Sequence, residues 1–271
     1  MRVTAIQTSS IDDKAANLAA VRDLIATAVA ADRPDLVLLP EVWAFQGGTA
    51  ATKREAAEAI PGGEAYRLLQ DAAREHRIVL HGGSFLERVG EQLFNTTVVF
   101  AKDGGEIARY RKMHLFDVVT PDGREYRESA LIGRGAEVVT YDAGEVRVGC
   151  TICYDLRFGE LYRKLAAQGA ELIMVPAAFT VPTGRAHWEV LLRARAIETG
   201  CYVAAAAQVG EFRVGSDTRA CWGHSMIVDP WGKVLAELAD GTGFVTAEVT
   251  CAEVERVRGM IPVHKHRVLP G

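Results

Sequence analysis

The 271-residue sequence lacks several features that would restrict its function to particular classes. Its apolar stretches are too short or too interrupted to span a bilayer. The N-terminus lacks the basic, apolar and small-residue regions of a secretory signal. Lys and Arg total 31 against 35 Asp and Glu, so the formal net charge is -4 and no basic surface for nucleic acid is expected. We therefore expect a cytoplasmic protein that binds neither membrane nor nucleic acid.

A disulfide framework and a linker between domains are also missing. Five cysteines, an odd number, are scattered through a chain too long for a small disulfide-rich fold. No Pro/Ser-rich linker, repeat or low-complexity run divides the sequence. We expect residues 1–271 to form a single domain, long enough to bury its own core.

Strand and helix patterns alternate along the chain. "VTAIQ" alternates as a strand does, and residues 12–32 repeat apolar positions near the helical period. "DLVLLP" is apolar throughout, which is typical of a strand buried on both faces. Further strands and helices follow as far as "FVTAEV", among them a strand over residues 78–85 and a helix over residues 185–200, and the segment after Lys112 is irregular. This order predicts an α/β protein with layered sheets and helices, a sandwich more than a barrel.

The stretch "GCTICYDLRFGE" contains two cysteines, Cys150 and Cys153, in a C-x-x-C pattern that allows three interpretations. A redox or metal pair needs both sulfurs on one side, but residues three apart on a strand face opposite sides. Buried, unreactive cysteine is the usual case, and we retain it for Cys150. Cys153 differs because a strand ends and a helix begins there, which is the geometry of a nucleophile elbow. Position alone makes it a candidate nucleophile.

A catalytic thiol usually needs a base, which the sequence offers in two forms. Among the histidines, His114, His187 and His224 are possible partners, but none has a clear triad setting. Glu41 directly follows the buried strand "DLVLLP", where α/β proteins place their chemistry, although an exposed strand end would look the same. Lys112 closes another strand, and a lysine considered alone is more often a solvated charge.

Four spaced motifs together resemble the nitrilase superfamily of carbon–nitrogen hydrolases. "LLPE", "YRKMHLFD", "CYDLRF" and "AHWEVLLRARAIET" occur in that family's order, and the resemblance runs through nearly the whole chain. It implies a catalytic triad of Glu41, Lys112 and Cys153, with Glu128 in "YRESALIG" as a second family glutamate. It also implies a four-layer αββα sandwich.

The resemblance is strongest to the amidase branch that acts on deaminated glutathione and on omega-amides of α-keto acids. It implies release of ammonia and a carboxylate through a cysteine thioester, with no metal or organic cofactor. Tyr154, Arg157, Phe179 and Thr183 are the expected substrate contacts, although Arg157 could equally form an internal salt bridge. An N-carbamoyl amino acid or aliphatic amide is the alternative substrate. A C-x-x-C redox or metal module is the alternative of a different class.

The resemblance also implies that the chain forms oligomers, although the sequence differs from the family pattern at two places. The family commonly forms dimers through helices that correspond to residues 158–168 and 186–199, with the C-terminal tail, from about residue 257, reaching the partner subunit. We therefore expect a homodimer or higher homo-oligomer acting on a small-molecule amide. Gly159 stands where the family usually has proline, and "SALIGRGAE" is less regular than the family's pattern.

Overall fold

A computed structural model describes residues 1–268, which form two facing β-sheets with helices on both outer sides. This confirms the four-layer αββα sandwich. The strands are β1 Arg2–Gln7, β2 Leu36–Leu38, β3 Val79–His81, β4 Phe85–Val89, β5 Gln92–Phe100, β6 Glu106–Arg111, β7 Asp117–Val119, β8 Glu125–Arg127, β9 Ile132–Gly133, β10 Thr140–Ala143, β11 Val146–Cys150, β12 Leu172–Ala177, β13 Tyr202–Ala207, β14 Val209–Val214, β15 Asp217–Trp222, β16 Ser225–Val228, β17 Val234–Leu238 and β18 Gly243–Glu248. The α-helices are α1 Lys14–Asp32, α2 Ala50–Ala56, α3 Glu64–His76, α4 Gly159–Ala167, α5 Val181–Thr199, α6 Cys251–Met260 and α7 Val263–His266, and short 3-10 helices span Glu128–Ala130 and Cys153–Arg157.

Each main sheet has a parallel centre. The first sheet has the order β18-β1-β2-β3-β5-β4, with β6 and β9 also paired to β5, and the second has the order β10-β11-β12-β13-β16-β17. Strands β1, β2 and β3 are parallel to one another, as are β11, β12 and β13. Parallel strands present their carboxyl ends at one edge of a sheet, which is where α/β folds place their ligands. The hairpins β7–β8 and β14–β15 stand outside both sheets.

The two faces of β2 show how the layers are held together. Leu36 and Leu38 belong to the core between the two sheets, whereas Val37 and Leu39 pack with Ile25 of α1 and the apolar residues of α3. All four side chains of β2 and its extension are fully buried. The prediction of a strand buried on both faces is confirmed, because alternating side chains of one strand contribute to two separate clusters.

Some local predictions from the sequence were wrong. The strand expected over residues 78–85 is split into β3 and β4, because the chain bends at Gly83 (φ +57°). A Cβ on Gly83 would lie 2.1 Å from the Pro40 carbonyl oxygen, so only glycine fits this close approach. The irregular segment after Lys112 contains the β7–β8 hairpin and a 3-10 turn. Helix α5 begins at Val181, four residues earlier than the sequence indicated.

The C-terminal segment is helical where a tail was expected. Helices α6 and α7 occupy residues 251–260 and 263–266. Residues 269–271, part of the expected tail, lie outside the described residues. No helix within residues 1–268 has the length and apolar character needed to cross a membrane.

Candidate active site

Cys153 lies at a sharp turn between a strand and a helix. Strand β11 ends at Cys150, Ile152 is extended, and Cys153 has a φ of +49° as the first residue of the 3-10 helix. A residue other than glycine rarely adopts this left-handed backbone conformation, and where one does, it is often at a functional site. The predicted elbow is confirmed. The two cysteines are separated by the turn and not, as predicted, by alternation along one strand, because β11 ends at Cys150.

Asp155 holds the elbow in place. Its carboxylate is fully buried and accepts hydrogen bonds on both oxygens. Oδ2 accepts from the Tyr110 hydroxyl at 2.7 Å and from the Ile152 N–H at 2.9 Å. Oδ1 accepts from the His114 N–H at 3.0 Å and from its Nδ1 at 2.7 Å. Four hydrogen-bond donors from three chain segments therefore bind the Asp155 carboxylate, which lies two residues after Cys153.

Glu41 follows β2 at the carboxyl end of the strand and is 4% exposed. Its Oε1 accepts from Lys112 Nζ at 2.8 Å and from Asn95 Nδ2 at 2.9 Å. Its backbone carbonyl accepts from Gln208 Nε2 at 3.0 Å. The next residue, Val42, also has a left-handed backbone (φ +48°). Glu41 is therefore a paired, buried carboxylate and not an exposed residue at a strand end.

Lys112 lies between two carboxylates. Besides Glu41, it donates to Glu128 at 2.9 and 3.2 Å, and Glu128 also accepts from the Phe116 N–H at 2.7 Å. Burial by itself would lower the pKa of Lys112, but Glu128 and Glu41 outweigh it and hold that pKa well above its ordinary value. Lys112 is therefore held as a cation in a buried position.

The surroundings of Cys153 favour the protonated form of its thiol. Burial raises its pKa well above the ordinary value, and the neighbouring Glu41 carboxylate raises it further, while Lys112 acts in the opposite direction. A thiol in this state needs a base to become a nucleophile. Glu41 is the carboxylate placed to accept the proton.

The four predicted catalytic residues share one cavity of about 350 Å³, a size suited to a small molecule. Glu41, Lys112, Cys153 and Glu128 all line it. So do three of the four expected substrate contacts, Tyr154, Phe179 and Thr183.

Arg157 is not among the residues that line the cavity. Its guanidinium group lies 3.3 Å from His187 Nδ1 and 5.5 Å from the centre of the Phe179 ring. Its contact with substrate stays a prediction. No histidine of residues 1–268 lines the cavity, and His114 and His224 are bonded to Asp155 and Glu237 instead.

Several residues of the site were missed in the sequence. Asn95 lies on β5 and bonds to Glu41, and the Oδ1 atom of Asn95 is buried with no partner among the described residues. A polar residue in the apolar run "LFNTTVVF" was the available signal. Lys53 and Arg219 also line the cavity, from α2 and β15, two elements that the sequence did not predict.

Cys150 and Cys153 are not bonded to each other. Burial raises the pKa of the Cys150 thiol, which packs in the core between the layers. Within residues 1–268, no three His, Cys, Asp or Glu side chains are grouped so that they could hold a metal ion.

Comparisons with known proteins agree with this geometry. The family model "Carbon-nitrogen hydrolase" matches residues 2–259. The chain is 42% identical over 268 residues to a deaminated glutathione amidase of Synechocystis, covering 97% of each chain. It is 39% identical to the human omega-amidase NIT2, over 86% of this chain and 82% of the relative. The crystal structure of Saccharomyces cerevisiae Nit3, a nitrilase superfamily member, superposes with a TM-score of 0.88 at 30% identity, covering 99% and 97%.

Proposed function

The chain belongs to the carbon–nitrogen hydrolase family, and from this premise we propose that it hydrolyses the omega-amide of an α-keto acid. The leaving amine is Cys-Gly when the substrate is deaminated glutathione, and ammonia when the substrate is a primary omega-amide. The amidase class is confirmed by the relatives, which include both a deaminated glutathione amidase and an omega-amidase. The C-x-x-C redox or metal module gains no support, because Cys153 meets Glu41 and Lys112 instead of Cys150.

The observation that carries the proposal is the meeting of Glu41, Lys112 and Cys153 in one cavity. In the first step, Glu41 accepts the thiol proton and the sulfur attacks the amide carbonyl carbon. The carbonyl oxygen takes up the electron pair and becomes an oxyanion. Lys112 and the backbone N–H of Tyr154 stabilise this charge, and fixed donors of this kind are each worth about 3–4 kcal/mol.

The second half of the reaction restores the enzyme. Glu41 gives its proton to the amide nitrogen and the carbon–nitrogen bond breaks. The amine, which is ammonia for a primary amide and Cys-Gly for deaminated glutathione, departs and leaves a thioester on Cys153. A water molecule then loses a proton to Glu41 and attacks the thioester carbon. The sulfur leaves and is reprotonated, and the product is a carboxylate. Glu128 holds Lys112 in place by two contacts throughout.

The test is a screen for amide hydrolysis with four substrates, measured as release of the free acid or, for the substrates with a terminal NH2 group, as release of ammonia. Deaminated glutathione, α-ketoglutaramate, an N-carbamoyl amino acid and an aliphatic amide are compared under the same conditions. We expect turnover of one of the first two, and none in Cys153→Ala at unchanged thermal stability. Preferential turnover of the carbamoyl or aliphatic substrate would replace the substrate proposal, and an active Cys153→Ala would remove Cys153 as nucleophile.

We also propose that residues 1–271 act as one domain that assembles as a homodimer. The family match over residues 2–259 and the shared core of the two sheets support the single domain. Three large apolar side chains stay exposed on one side, Val190 and Ile197 of α5 and the nearby Trp231. Sedimentation of the purified enzyme checks the dimer. A cytoplasmic location stays a prediction from the sequence.

A further inference from the structure

Three cationic side chains line the catalytic cavity without a part in the proposed reaction, and they are Lys53, Arg127 and Arg219. Arg127 is mostly exposed and pairs with Glu125 at 2.6 Å, so Lys53 of α2 and Arg219 of β15 remain. Neither belongs to the two main sheets, whose strand ends supply the base and the nucleophile. Their placement in the cavity therefore calls for a separate explanation.

Lys53 carries a charge without a direct partner. Its ammonium group has no hydrogen bond or ion pair with any residue of the described part of the chain. Burial lowers the pKa of Lys53, Glu128 opposes this, and the neighbouring Arg219 lowers that pKa further. Two cations in a partly buried cavity repel each other, and an anion that lies between them offsets this repulsion.

Arg219 has an unused donor. Its Nε is buried and has no acceptor among residues 1–268, while the guanidinium lies 4.6 Å from the centre of the Tyr126 ring. Its nearest ion pair is a long one, 3.9 Å to the carboxylate of Asp217, whose side chain is mostly exposed. A buried donor without an acceptor is unfavourable until a ligand supplies one.

Strand pairing fixes the direction of Arg219. In the β14–β15 hairpin Arg219 is paired with Phe212, which also lines the cavity. Arg213, the next residue of β14, is exposed and is not among the lining residues. Because neighbouring residues on a strand face opposite sides, Arg219 and Phe212 share the cavity face and Arg213 does not.

The net charge of the cavity also favours an anionic ligand. Glu41, Glu128 and Lys112 together carry one net negative charge, which would repel an anionic substrate. Glu125 and Arg127 also line the cavity, but they are paired and their charges cancel, so Lys53 and Arg219 reverse the sign of the total. An omega-amide of an α-keto acid carries a carboxylate at the end remote from its amide, and a guanidinium fork suits a carboxylate's two oxygens.

We propose that Lys53 and Arg219 bind the remote carboxylate of the substrate and so select amides that carry one. The inference rests on the proposed amidase function and names the side chains that set its substrate class. It also assigns the carboxylate to a pair other than Arg157, which is bonded to His187 outside the cavity lining.

The test compares two amides of nearly equal size, glutaramate with one carboxylate and glutaramide with none. We expect Lys53→Gln and Arg219→Gln each to lower kcat/KM for glutaramate about 10- to 100-fold, mainly through KM, because a charge-assisted hydrogen bond is lost. Turnover of glutaramide should change by less than about threefold. Equal losses on both amides would overturn the proposal, since Lys53 would then act through Glu128.

Matched controls come from the neighbouring cations. Arg54 follows Lys53 on α2 and bonds to the Glu91 carbonyl, and Arg213 lies on the opposite face of the hairpin. Arg54→Gln and Arg213→Gln should leave both substrates unaffected. If either control lowered kcat/KM for glutaramate as much as Arg219→Gln does, the effect would come from the overall surface charge. That result would overturn the assignment. Arg219→Lys, which keeps the charge without the fork, should recover part of the glutaramate activity.

A binding readout separates this inference from the amidase proposal. Glutarate should protect Cys153 of the wild type from alkylation by iodoacetamide, and the protection should be lost in Lys53→Gln and Arg219→Gln. Protection without hydrolysis of any amide would refute the proposed function and leave the carboxylate site standing. Hydrolysis of both amides at similar rates without glutarate protection would refute the carboxylate site alone.

Discussion

Replacing Asp155 with asparagine should loosen the turn that presents the nucleophile. The carboxylate accepts four hydrogen bonds, two on each oxygen, from Tyr110, Ile152 and His114. Asparagine keeps one acceptor oxygen and replaces the other with a donor. In either orientation of the amide, one backbone N–H, that of Ile152 or that of His114, then faces another donor in a fully buried position. The Tyr110 hydroxyl and the His114 ring nitrogen can instead accept from the new amide.

The structure gives the size of the effect. A hydrogen bond to a charged group contributes about 1.5–3 kcal/mol, and a buried donor without an acceptor costs about 1–3 kcal/mol. The stranded N–H and the loss of charge from the remaining bonds should together lower the free energy of unfolding by about 3–6 kcal/mol. Tyr110→Phe removes one donor and leaves the acceptor satisfied by Ile152, and we expect about half of the smaller value. Asp142→Asn is the control, because its exposed pair with Arg147 is worth less than about 1 kcal/mol.

Urea unfolding of the variants, followed by circular dichroism, measures the three differences. Ammonia release by folded Asp155→Asn should fall in kcat more than in KM, because the change displaces the thiol and not the substrate pocket. An unfolding free energy of Asp155→Asn within 1 kcal/mol of the wild type would refute the reasoning. So would equal losses in Asp155→Asn and Tyr110→Phe.

Two further predictions concern the charged residues of the cavity. Glu41→Gln cannot accept the thiol proton, so kcat should fall about 10²- to 10⁴-fold; a mass spectrum with acyl-enzyme formed at the wild-type rate would remove Glu41 as the base. Lys112→Met leaves Glu41 and Glu128 buried without their cation, which should cost about 3–5 kcal/mol of stability and abolish turnover. An unchanged urea midpoint would contradict the role of Lys112 as their common partner.

Local sequence patterns were enough to predict the scaffold of the candidate site. The continuous apolar run before Glu41 indicates a strand buried on both faces, and the residue after such a strand lies at the edge where ligands bind. Cys153 was identified as a turn residue by the same kind of local signal. The spaced motifs then added Lys112 and Glu128, which no pattern of their own distinguishes from solvated charges.

The rest depends on contacts between distant segments. Asp155 is recognisable as a local cap of Ile152, but its bonds to Tyr110 and His114 cross more than 40 positions. Arg219 lies over Tyr126, a residue of another hairpin. Neither hairpin belongs to a main sheet. The strands of β7–β8 have only three residues each and those of β14–β15 are partly exposed, so hydrophobic periodicity gives them little signal.

The charges of the site explain why a raised thiol pKa is compatible with catalysis. Transfer of the proton from Cys153 to Glu41 moves a negative charge from carboxylate to sulfur and leaves the net charge of the cavity unchanged. Lys112 is paired with Glu41 at rest. When Glu41 takes up the proton and becomes neutral, it attracts Lys112 less strongly, and the charge of Lys112 then stabilises the oxyanion. Glu128 keeps Lys112 in position during this exchange, so a single carboxylate beside the lysine would not suffice.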